Sequence, residues 1–290
     1  MLQHAKNACK SLLLRFGYEI RAVHQSVPED IDFKAALTVN ESEFYSQWTG
    51  PCPLFSPWLG HPDFQAVYEG AAPYTLVSPD RCYMLISLAR YARHLSGDFA
   101  ECGVWNGGTA LLVARILKNI ANKKLYLFDS FQGLPKLDQQ KDPWFFEGQY
   151  SAKSVDAVKA LLSEFQTMID IRCGWIPETF RGLEERRYAF AHLDVDVYQS
   201  TLDCCAYFYP RLVTGGVLLF DEYCFAAARG EKDAVDEFFA DKPERPIALP
   251  TGQAMVLKAP SEAGQESAKR NSDDRGLSDD HFGAKHDATS

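Results

Sequence analysis

The sequence lacks a hydrophobic run long enough to cross a membrane and lacks a signal-peptide core. No stretch of its 290 residues approaches the roughly 18 consecutive apolar residues that a membrane helix needs. The N-terminal residues, MLQHAKNACK, contain no apolar segment of the kind that secretory signals carry. Both absences predict a cytoplasmic protein without a membrane span.

Basic residues are too few and too scattered to form a nucleic-acid-binding surface. The chain has 30 Lys and Arg against 39 Asp and Glu, a formal net charge of −9, whereas phosphate binding relies on clustered positive charge. Pairs such as Arg186 and Arg187 are typical of solvated helix ends. We therefore expect no nucleic-acid partner.

The cysteines show neither metal-knuckle nor disulfide-framework spacing. There are eight, and no two are arranged as Cys-x-x-Cys. Most lie in apolar stretches, where a free cysteine behaves as a small hydrophobe. They are predicted to be reduced core residues.

Residues 98–109, DFAECGVWNGGT, predict a strand, a tight turn and the start of a helix. A short apolar run ends at Glu101, and glycines follow at Gly103 and at positions 107–108. Glycine suits a backbone that turns sharply and passes close to a ligand, and Thr109 can serve as an N-terminal residue of the helix. The alternative is an ordinary strand-to-helix turn that binds nothing.

This turn is not the dinucleotide fingerprint Gly-x-Gly-x-x-Gly, because Trp105 stands where a glycine is needed. The next predicted strand, Leu125–Asp129, ends in a carboxylate. In nucleoside-binding α/β folds an acid at that place bonds the ribose hydroxyls. Together the turn and Asp129 favour an adenosine-type ligand.

Strands and helices then alternate along the chain, which predicts an α/β fold with a parallel sheet and helices on both faces. The predicted strands are Phe99–Cys102, Leu125–Asp129, Ile169–Cys173, Tyr188–Leu193, Gly216–Phe220, Pro246–Leu249 and Gln253–Lys258. The predicted helices run from Pro79 to about His94 (burying Tyr83, Leu85, Ile86, Leu88 and Tyr91) and over Leu111–Ile120, Ser154–Gln166, Gln199–Tyr209 and Glu231–Ala240. The link between the last two strands is too short for a parallel crossover, so they form an antiparallel hairpin. By analogy, this is the doubly wound, Rossmann-like seven-stranded sheet of class I methyltransferases, with its last strand antiparallel.

Composition divides the chain into three regions. Residues 1–77 form an aromatic- and proline-rich extension without a clear period, which either walls an acceptor pocket, forms a dimer contact, or only packs on the main domain. Residues 78–258 carry the alternating strands and helices and are predicted to form the α/β domain. Residues 259–290 have too few large hydrophobes to offset their ordering entropy and are predicted to be a disordered tail.

Two consecutive predicted strands end in acidic pairs, Asp194 with Asp196 and Asp221 with Glu222. The carboxyl ends of parallel strands meet at one edge of the sheet, so the pairs should converge near the glycine turn. Clustered carboxylates repel unless a cation or protons compensate them, and oxygen ligands suit Mg²⁺ or another hard divalent ion. The alternative for any single acid is that it caps a helix or faces solvent.

Four segments together resemble the macrocin-type O-methyltransferases, the family named for macrolide and aminocoumarin sugar methylation. They are FAECGVWNGGT, LFDSFQGLP, HLDVDVYQST and YPRLVTGGVLLFDEY, in that order, and the resemblance covers roughly residues 75–258. It implies S-adenosylmethionine as methyl donor, a divalent metal (usually magnesium), and an acceptor hydroxyl that is commonly on a sugar. The implied donor-binding residues are Glu101, Gly103, Asn106, Gly107, Thr109, Asp129, Ser130, Gly174 and Trp175.

The resemblance also assigns the acids. Asp194, Asp221 and Glu222 would ligate the metal, although the family usually has Asp-Asp where this chain has Asp221-Glu222. Asp194 and Asp196 are the candidate catalytic acids, with Asp196 as general base or, alternatively, as a ligand or a support for one. His192 is predicted to be a packed or hydrogen-bonded histidine and not the base.

The predicted function is therefore metal-assisted O-methyl transfer to a small-molecule or glycan hydroxyl, by a chain that could form homo-oligomers. The aromatic loop Phe131–Tyr150 is either a lid that excludes water or a surface loop packed by its own side chains. Two other functions remain as alternatives. One is a nucleotide-dependent oxidoreductase or epimerase, and the other is a non-catalytic donor- or nucleotide-binding partner protein.

Overall fold

The computed structural model of the chain describes residues 57–60, 62–152 and 154–260. These residues contain a seven-stranded sheet with the strand order β3-β2-β1-β4-β5-β7-β6. The strands are β1 Asp98–Cys102, β2 Leu125–Asp129, β3 Ile169–Cys173, β4 Tyr188–Leu193, β5 Leu212–Phe220, β6 Ile247–Ala248 and β7 Ala254–Leu257.

The sheet confirms the predicted fold class. β1 to β5 run parallel to one another, and β7 pairs antiparallel with both β5 and β6. The strand order changes direction between β1 and β4, the switch point at which open α/β sheets bind ligands. β5 begins at Leu212, earlier than the predicted Gly216.

Helices cover both faces of the sheet, as predicted. They are α1 Pro57–Gly60, α2 Pro62–Tyr68, α3 Pro79–Ala92, α4 Gly108–Leu117, α5 Val155–Leu161, α6 Tyr198–Phe208 and α7 Arg229–Phe239. The predicted helix Ser154–Gln166 is divided, because α5 ends at Leu161 and a 3₁₀ turn follows at Ser163–Phe165. Ser154 caps α5 by accepting a hydrogen bond from the Ala157 amide, at 3.1 Å.

The burial of α3 was predicted correctly except at Tyr91. Leu85 and Ile86 are buried, and Tyr83 and Leu88 are partly buried and pack against the core. Tyr91 is 49% exposed, so its predicted burial is wrong. The buried stripe of α3 continues through Ala89 and Ala92 at helical spacing, and Tyr91 lies off this stripe.

Two hydrophobic clusters sandwich the sheet. Phe99, Leu125 and Leu127 belong to the cluster that contains α3 and α4. Phe128 and Phe220 belong to the cluster on the opposite face, with α6 and α7. Alternate side chains of a strand point to opposite faces, so a sheet covered on both sides needs apolar residues at nearly every strand position.

Residues 57–77 pack on the α3–α4 side of the sheet. The Phe64 ring lies 5.4 Å from the rings of both Tyr68 and Tyr83, and Arg115 of α4 donates to the carbonyl of Val67 at 2.6 Å. The roles predicted for the rest of the N-terminal extension, residues 1–56, lie outside the described residues, as does the tail after residue 260.

Of the predicted core cysteines, Cys82, Cys102, Cys204 and Cys205 are buried. Cys173, the last residue of β3, and Cys224, in the segment after β5, are exposed, so the prediction that they are core residues is wrong. All six are free thiols, and the other two lie outside the described residues. Within the described ranges, no helix is both long and apolar enough to cross a membrane.

Candidate active site

The glycine turn after β1 lies between the ends of β2 and β4, the two neighbours of β1. The Gly103 amide donates to the carbonyl of Phe128 at 3.0 Å, and the Asp194 amide donates to the carbonyl of Cys102 at 2.9 Å. A Cβ atom on Gly103 would lie 1.7 Å from the Asp194 carbonyl oxygen, and Gly103 has φ = +84°. Both the close approach and the left-handed backbone therefore require glycine here.

The carboxylate of Asp129 closes this turn. Its Oδ2 accepts hydrogen bonds from the amides of Val104 at 2.7 Å and Trp105 at 2.8 Å, and its Oδ1 accepts one from Phe131 at 2.6 Å. A carboxylate offers about four acceptor positions, so Oδ1 keeps one for a ligand. Asp129 thus shapes the turn, and its predicted contact with a ribose stays a prediction.

One cavity of ≈ 380 Å³ opens at the carboxyl edge of the sheet, within the size range of small-molecule sites. Of the predicted donor-binding residues, Gly103, Thr109, Asp129, Ser130, Gly174 and Trp175 line it. Of the predicted acids, Asp194, Asp196 and Glu222 line it. The structure therefore brings the two predicted halves of the site into one cavity.

Four of the predicted residues do not line this cavity. Gly107 is the N-cap of α4, with φ = +87°, and Asn106 precedes it in the turn. Glu101 and Asp221 are fully buried behind the cavity wall. Direct contact of these four with a donor or a metal stays a prediction.

His192 joins Glu101 to Asp221. Its Nδ1 lies 3.0 Å from Oε1 of Glu101, and its Nε2 lies 3.3 Å from Oδ1 of Asp221. Burial lowers the pKa of His192, but the hydrogen bonds to Asp221 and Glu101 outweigh it and raise the pKa to about 10. The prediction of a hydrogen-bonded histidine is confirmed, and His192 lies between two carboxylates.

Asp221 is also bonded by two residues that sequence reasoning missed. Arg81 of α3 pairs through Nη1 with Oδ2 of Asp221, and Gln253 donates to Oδ1 at 2.6 Å. Burial raises the pKa of Asp221, but the hydrogen bond from His192 and the charges of His192 and Arg81 outweigh it, so this pKa is lowered. The sequence contained one sign that Arg81 has a buried partner, because this charged residue lies directly beside the buried stripe of α3.

Asp194, Asp196 and Glu222 form an all-oxygen group at the cavity. One oxygen from each lies within 4.8 Å of the others. Burial, followed by the charge of Asp221, raises the pKa of Asp194, and burial, followed by the charge of Asp194, raises that of Glu222. The buried Oε2 of Glu222 has no hydrogen-bond partner among the described residues.

A further carboxylate, Glu231 of α7, supports this group from behind. It is fully buried, and its Oε1 accepts a hydrogen bond from the Glu222 amide at 3.0 Å. Its Oε2 is buried without a partner in the described part of the chain, and burial raises its pKa. These uncompensated oxygens fit a hard divalent cation, which binds carboxylate oxygens and would offset their repulsion.

Asp196 has an uncommon backbone conformation. It lies in the left-handed region at φ = +61°, which is uncommon outside glycine. Burial, followed by the charge of Asp221, raises its pKa to about 7. A carboxylate with a pKa near neutrality can accept a proton near pH 7.

The loop Phe131–Tyr150 forms part of the cavity wall. Its two ends are joined by hydrogen bonds from the Leu134 amide to the Gln149 carbonyl, 2.8 Å, and from the Gly148 amide to the Leu134 carbonyl, 2.9 Å. Phe145 is buried and lines the cavity, whereas Trp144 and Phe146 are exposed. The loop is thus packed partly by its own side chains, and its predicted action as a lid stays a prediction.

Comparison with known proteins identifies related chains. Residues 71–249 match the family model described as Macrocin-O-methyltransferase (TylF). Mycinamicin III 3''-O-methyltransferase of Micromonospora griseorubida is 33% identical over 155 residues, which is 49% of this chain and 60% of the relative. 8-Demethyl-8-(2,3-dimethoxy-alpha-L-rhamnosyl)-tetracenomycin-C 4'-O-methyltransferase of Streptomyces olivaceus is 29% identical over 153 residues, 49% of this chain and 58% of the relative. The match thus spans about three fifths of each relative's length.

The fold is also that of a solved methyltransferase structure. The O-methyltransferase NovP superposes with a TM-score of 0.59 and 21% sequence identity, covering 79% of this chain and 100% of NovP. At this identity the likeness supports the fold alone.

Proposed function

Because the chain belongs to the macrocin O-methyltransferase family, we propose that it transfers a methyl group from S-adenosylmethionine to a hydroxyl, with the assistance of a divalent cation. The observation that carries this proposal is the shared cavity. The glycine turn and Asp129 line it together with Asp194, Asp196 and Glu222. A donor and an acceptor bound in it would be neighbours, which methyl transfer requires.

The donor would lie over the glycine turn. Gly103 brings the backbone close to the cavity without a side chain, and the free acceptor position of Asp129 would receive a ribose hydroxyl. Trp175, which is partly exposed and follows Gly174, offers an aromatic border for the adenine. S-Adenosylmethionine supplies an electrophilic methyl group on a positively charged sulfur.

The acceptor would lie at the acidic side. Asp194, Asp221 and Glu222 are the proposed metal ligands, and a divalent cation held there would lower the pKa of the acceptor hydroxyl. Asp196 takes the hydroxyl proton at its carboxylate as the new O–CH₃ bond forms and the S–CH₃ bond breaks. The protein's main contribution is to hold the reacting oxygen in line with the methyl group.

We propose that the acceptor hydroxyl belongs to a sugar. Two relatives are named for O-methylation of a mycinamicin and of a rhamnosyl-tetracenomycin. In this chain Tyr74, Tyr150 and Phe225 line the cavity and are each partly exposed, so they offer aromatic surface to an acceptor. Family membership argues against the oxidoreductase or epimerase alternative.

The test is calorimetric titration with S-adenosylmethionine, with and without Mg²⁺, followed by a methyl-transfer assay on a panel of sugar acceptors. Asp194→Ala should keep donor binding but lose metal-dependent transfer. The matched control is Asp156→Ala, which removes an exposed carboxylate on α5 and should behave as the unmodified protein. Absence of donor binding under every condition would overturn the proposal, and donor binding without transfer to any acceptor would favour the non-catalytic partner protein.

A further inference from the structure

Arg81 places a cation on two of the three proposed metal ligands. Its Nη1 pairs with Oδ2 of Asp221 and with Oε1 of Glu222, the latter at 2.7 Å. Both carboxylates follow β5, whereas Arg81 lies in the first turn of α3. The guanidinium therefore uses oxygens that a divalent cation would also need.

The position of Arg81 is built into the fold. Its side chain is only 11% exposed, and its Nε donates to Oγ of Ser78 at 3.2 Å. The ring of Phe225 lies 4.9 Å from the centre of the guanidinium, a distance at which cation and ring attract. Three contacts of different kinds thus fix the same side chain.

The charges explain why such a cation is present. Buried carboxylates without a counter-charge are strongly destabilising. Arg81 pairs with Asp221 and Glu222, whereas the carboxylates of Asp194, Asp196 and Glu231 have no basic partner among the ion pairs of the described residues. Arg81 therefore supplies a positive charge to Asp221 and Glu222 without a metal, whereas the other three carboxylates have no such partner.

We propose that Arg81 is an internal counter-ion that holds Asp221 and Glu222 in the metal-free protein and that a divalent cation must displace from them to bind. The inference rests on the proposed function, because it takes Asp194, Asp221 and Glu222 as the metal ligands. Arg81 thereby weakens cation binding, since the ion has to replace an existing ion pair and to approach a positive charge.

This role predicts that removal of the guanidinium strengthens metal binding. In Arg81→Gln the oxygens of Asp221 and Glu222 lose their competitor, so the affinity for a divalent cation should rise. The same variant should be less stable without metal, because two carboxylates lose their counter-charge. Added metal should restore more stability to the variant than to the unmodified protein, since tighter binding to the folded state gives a larger shift.

The experiment is a titration of the full chain with Mn²⁺, without donor or acceptor. The electron paramagnetic resonance signal of the free ion is the readout. We expect Arg81→Gln to bind Mn²⁺ at least about tenfold more tightly, about 1.4 kcal/mol. The matched control is Arg172→Gln, which removes the same charge from the ion pair with Asp170 on β3 and should not change the affinity. If Arg81→Gln does not fold, Arg81→Lys is the second variant. Lysine keeps the positive charge but not both contacts with Asp221 and Glu222. Its affinity for Mn²⁺ should therefore also rise, but by less.

The outcomes separate the inference from the proposed function. Unchanged or weaker Mn²⁺ binding by the folded Arg81 variants, with binding by the unmodified protein intact, would overturn the role of Arg81 alone. Absence of Mn²⁺ binding by every variant and by the unmodified protein would overturn the metal-assisted function together with it. A purely structural role for Arg81 predicts lower stability without any gain in metal affinity.

Discussion

The amide of Tyr198 donates a hydrogen bond to the carboxylate of Asp142, 3.1 Å from its Oδ1. Tyr198 is the first residue of α6, whose N-cap, Val197, provides no capping side chain. Asp142, from the cavity loop, therefore caps α6 in place of a local residue and brings a negative charge to the positive end of the helix. The same contact ties the loop to the segment that carries Asp196, two residues before Tyr198.

Removing this cap should loosen both the loop and the turn at Asp196. We expect Asp142→Ala to lower the free energy of unfolding by about 1 kcal/mol or more and to speed proteolysis within the loop. Methyl transfer should also slow, because the candidate base loses its support. Glu147→Ala, which removes an exposed carboxylate of the same loop, is the control. Loop proteolysis at the unmodified rate would contradict the role of Asp142.

Gly230 of α7 lies against the same carboxylate, which leaves no room for a side chain. A Cβ atom there would lie 1.9 Å from Oδ1 of Asp142. Glycine-to-alanine changes inside helices normally stabilise by roughly 0.5–1 kcal/mol, but here we expect Gly230→Ala to destabilise, by about 1–3 kcal/mol. Thermal unfolding of the single and double variants tests this. If Asp142→Ala does not offset part of the cost of Gly230→Ala, the clash is not its cause.

The glycine turn allows backbone strain to be separated from crowding. Gly103 and Gly182 have nearly equal φ values of +84° and +81°, but a Cβ on Gly182 would meet nothing within 4 Å. We expect Gly103→Ala to lower stability more than Gly182→Ala and to abolish donor binding, because the β1–β4 contact at Asp194 must open. Equal losses of stability in the two variants would show that φ alone accounts for the glycine at position 103.

Asp129 should matter for the shape of the turn as well as for the donor. In Asp129→Asn one carboxylate oxygen becomes an amide that donates, so it faces the amides of Val104 and Trp105 or of Phe131 without accepting from them. We expect at least about a tenfold loss of S-adenosylmethionine affinity, about 1.4 kcal/mol, and a lower melting temperature. Calorimetry and thermal unfolding measure the two effects. Unchanged donor affinity would exclude Asp129 from the donor site.

The Asp196→Asn variant tests whether Asp196 acts as the general base or as a metal ligand. A general base typically contributes about 10²–10⁴-fold to the rate, so kcat should fall by that range while donor affinity stays the same. Mn²⁺ affinity should change little if Asp196 only takes the proton. A fall in Mn²⁺ affinity comparable to that of Asp194→Ala would assign Asp196 to the metal instead.

The strand ends could be predicted from the sequence because apolar runs that stop at an acid or a glycine are local patterns. The carboxyl ends of parallel strands meet at one edge of the sheet, so Asp129, Asp194 and Glu222 could then be predicted to lie close together. Side-chain direction was harder. Glu101 lies one residue before the end of β1, the strand that leads into the glycine turn, but it points away from the cavity toward His192.

The partners of the acids could not be predicted, because they come from distant segments. Arg81 lies 140 residues before Asp221, and Asp142 lies 56 residues before Tyr198. No local period or spacing links such pairs, and only the packing of α3 and the loop onto the sheet brings them into contact. Sequence patterns therefore located the site but not the residues that hold its acids in place.

Gln253 has a consequence for the synthesis of the chain. It precedes β7 and donates to Asp221, which also pairs with Arg81, so the hydrogen bonding of the acidic centre depends on one of the last described segments. A ribosome-bound chain that ends before Gln253 lacks this hydrogen bond, even where β1 to β5 and the glycine turn have formed. Full methyl-transfer activity is thus expected only after the final hairpin has emerged and paired with β5.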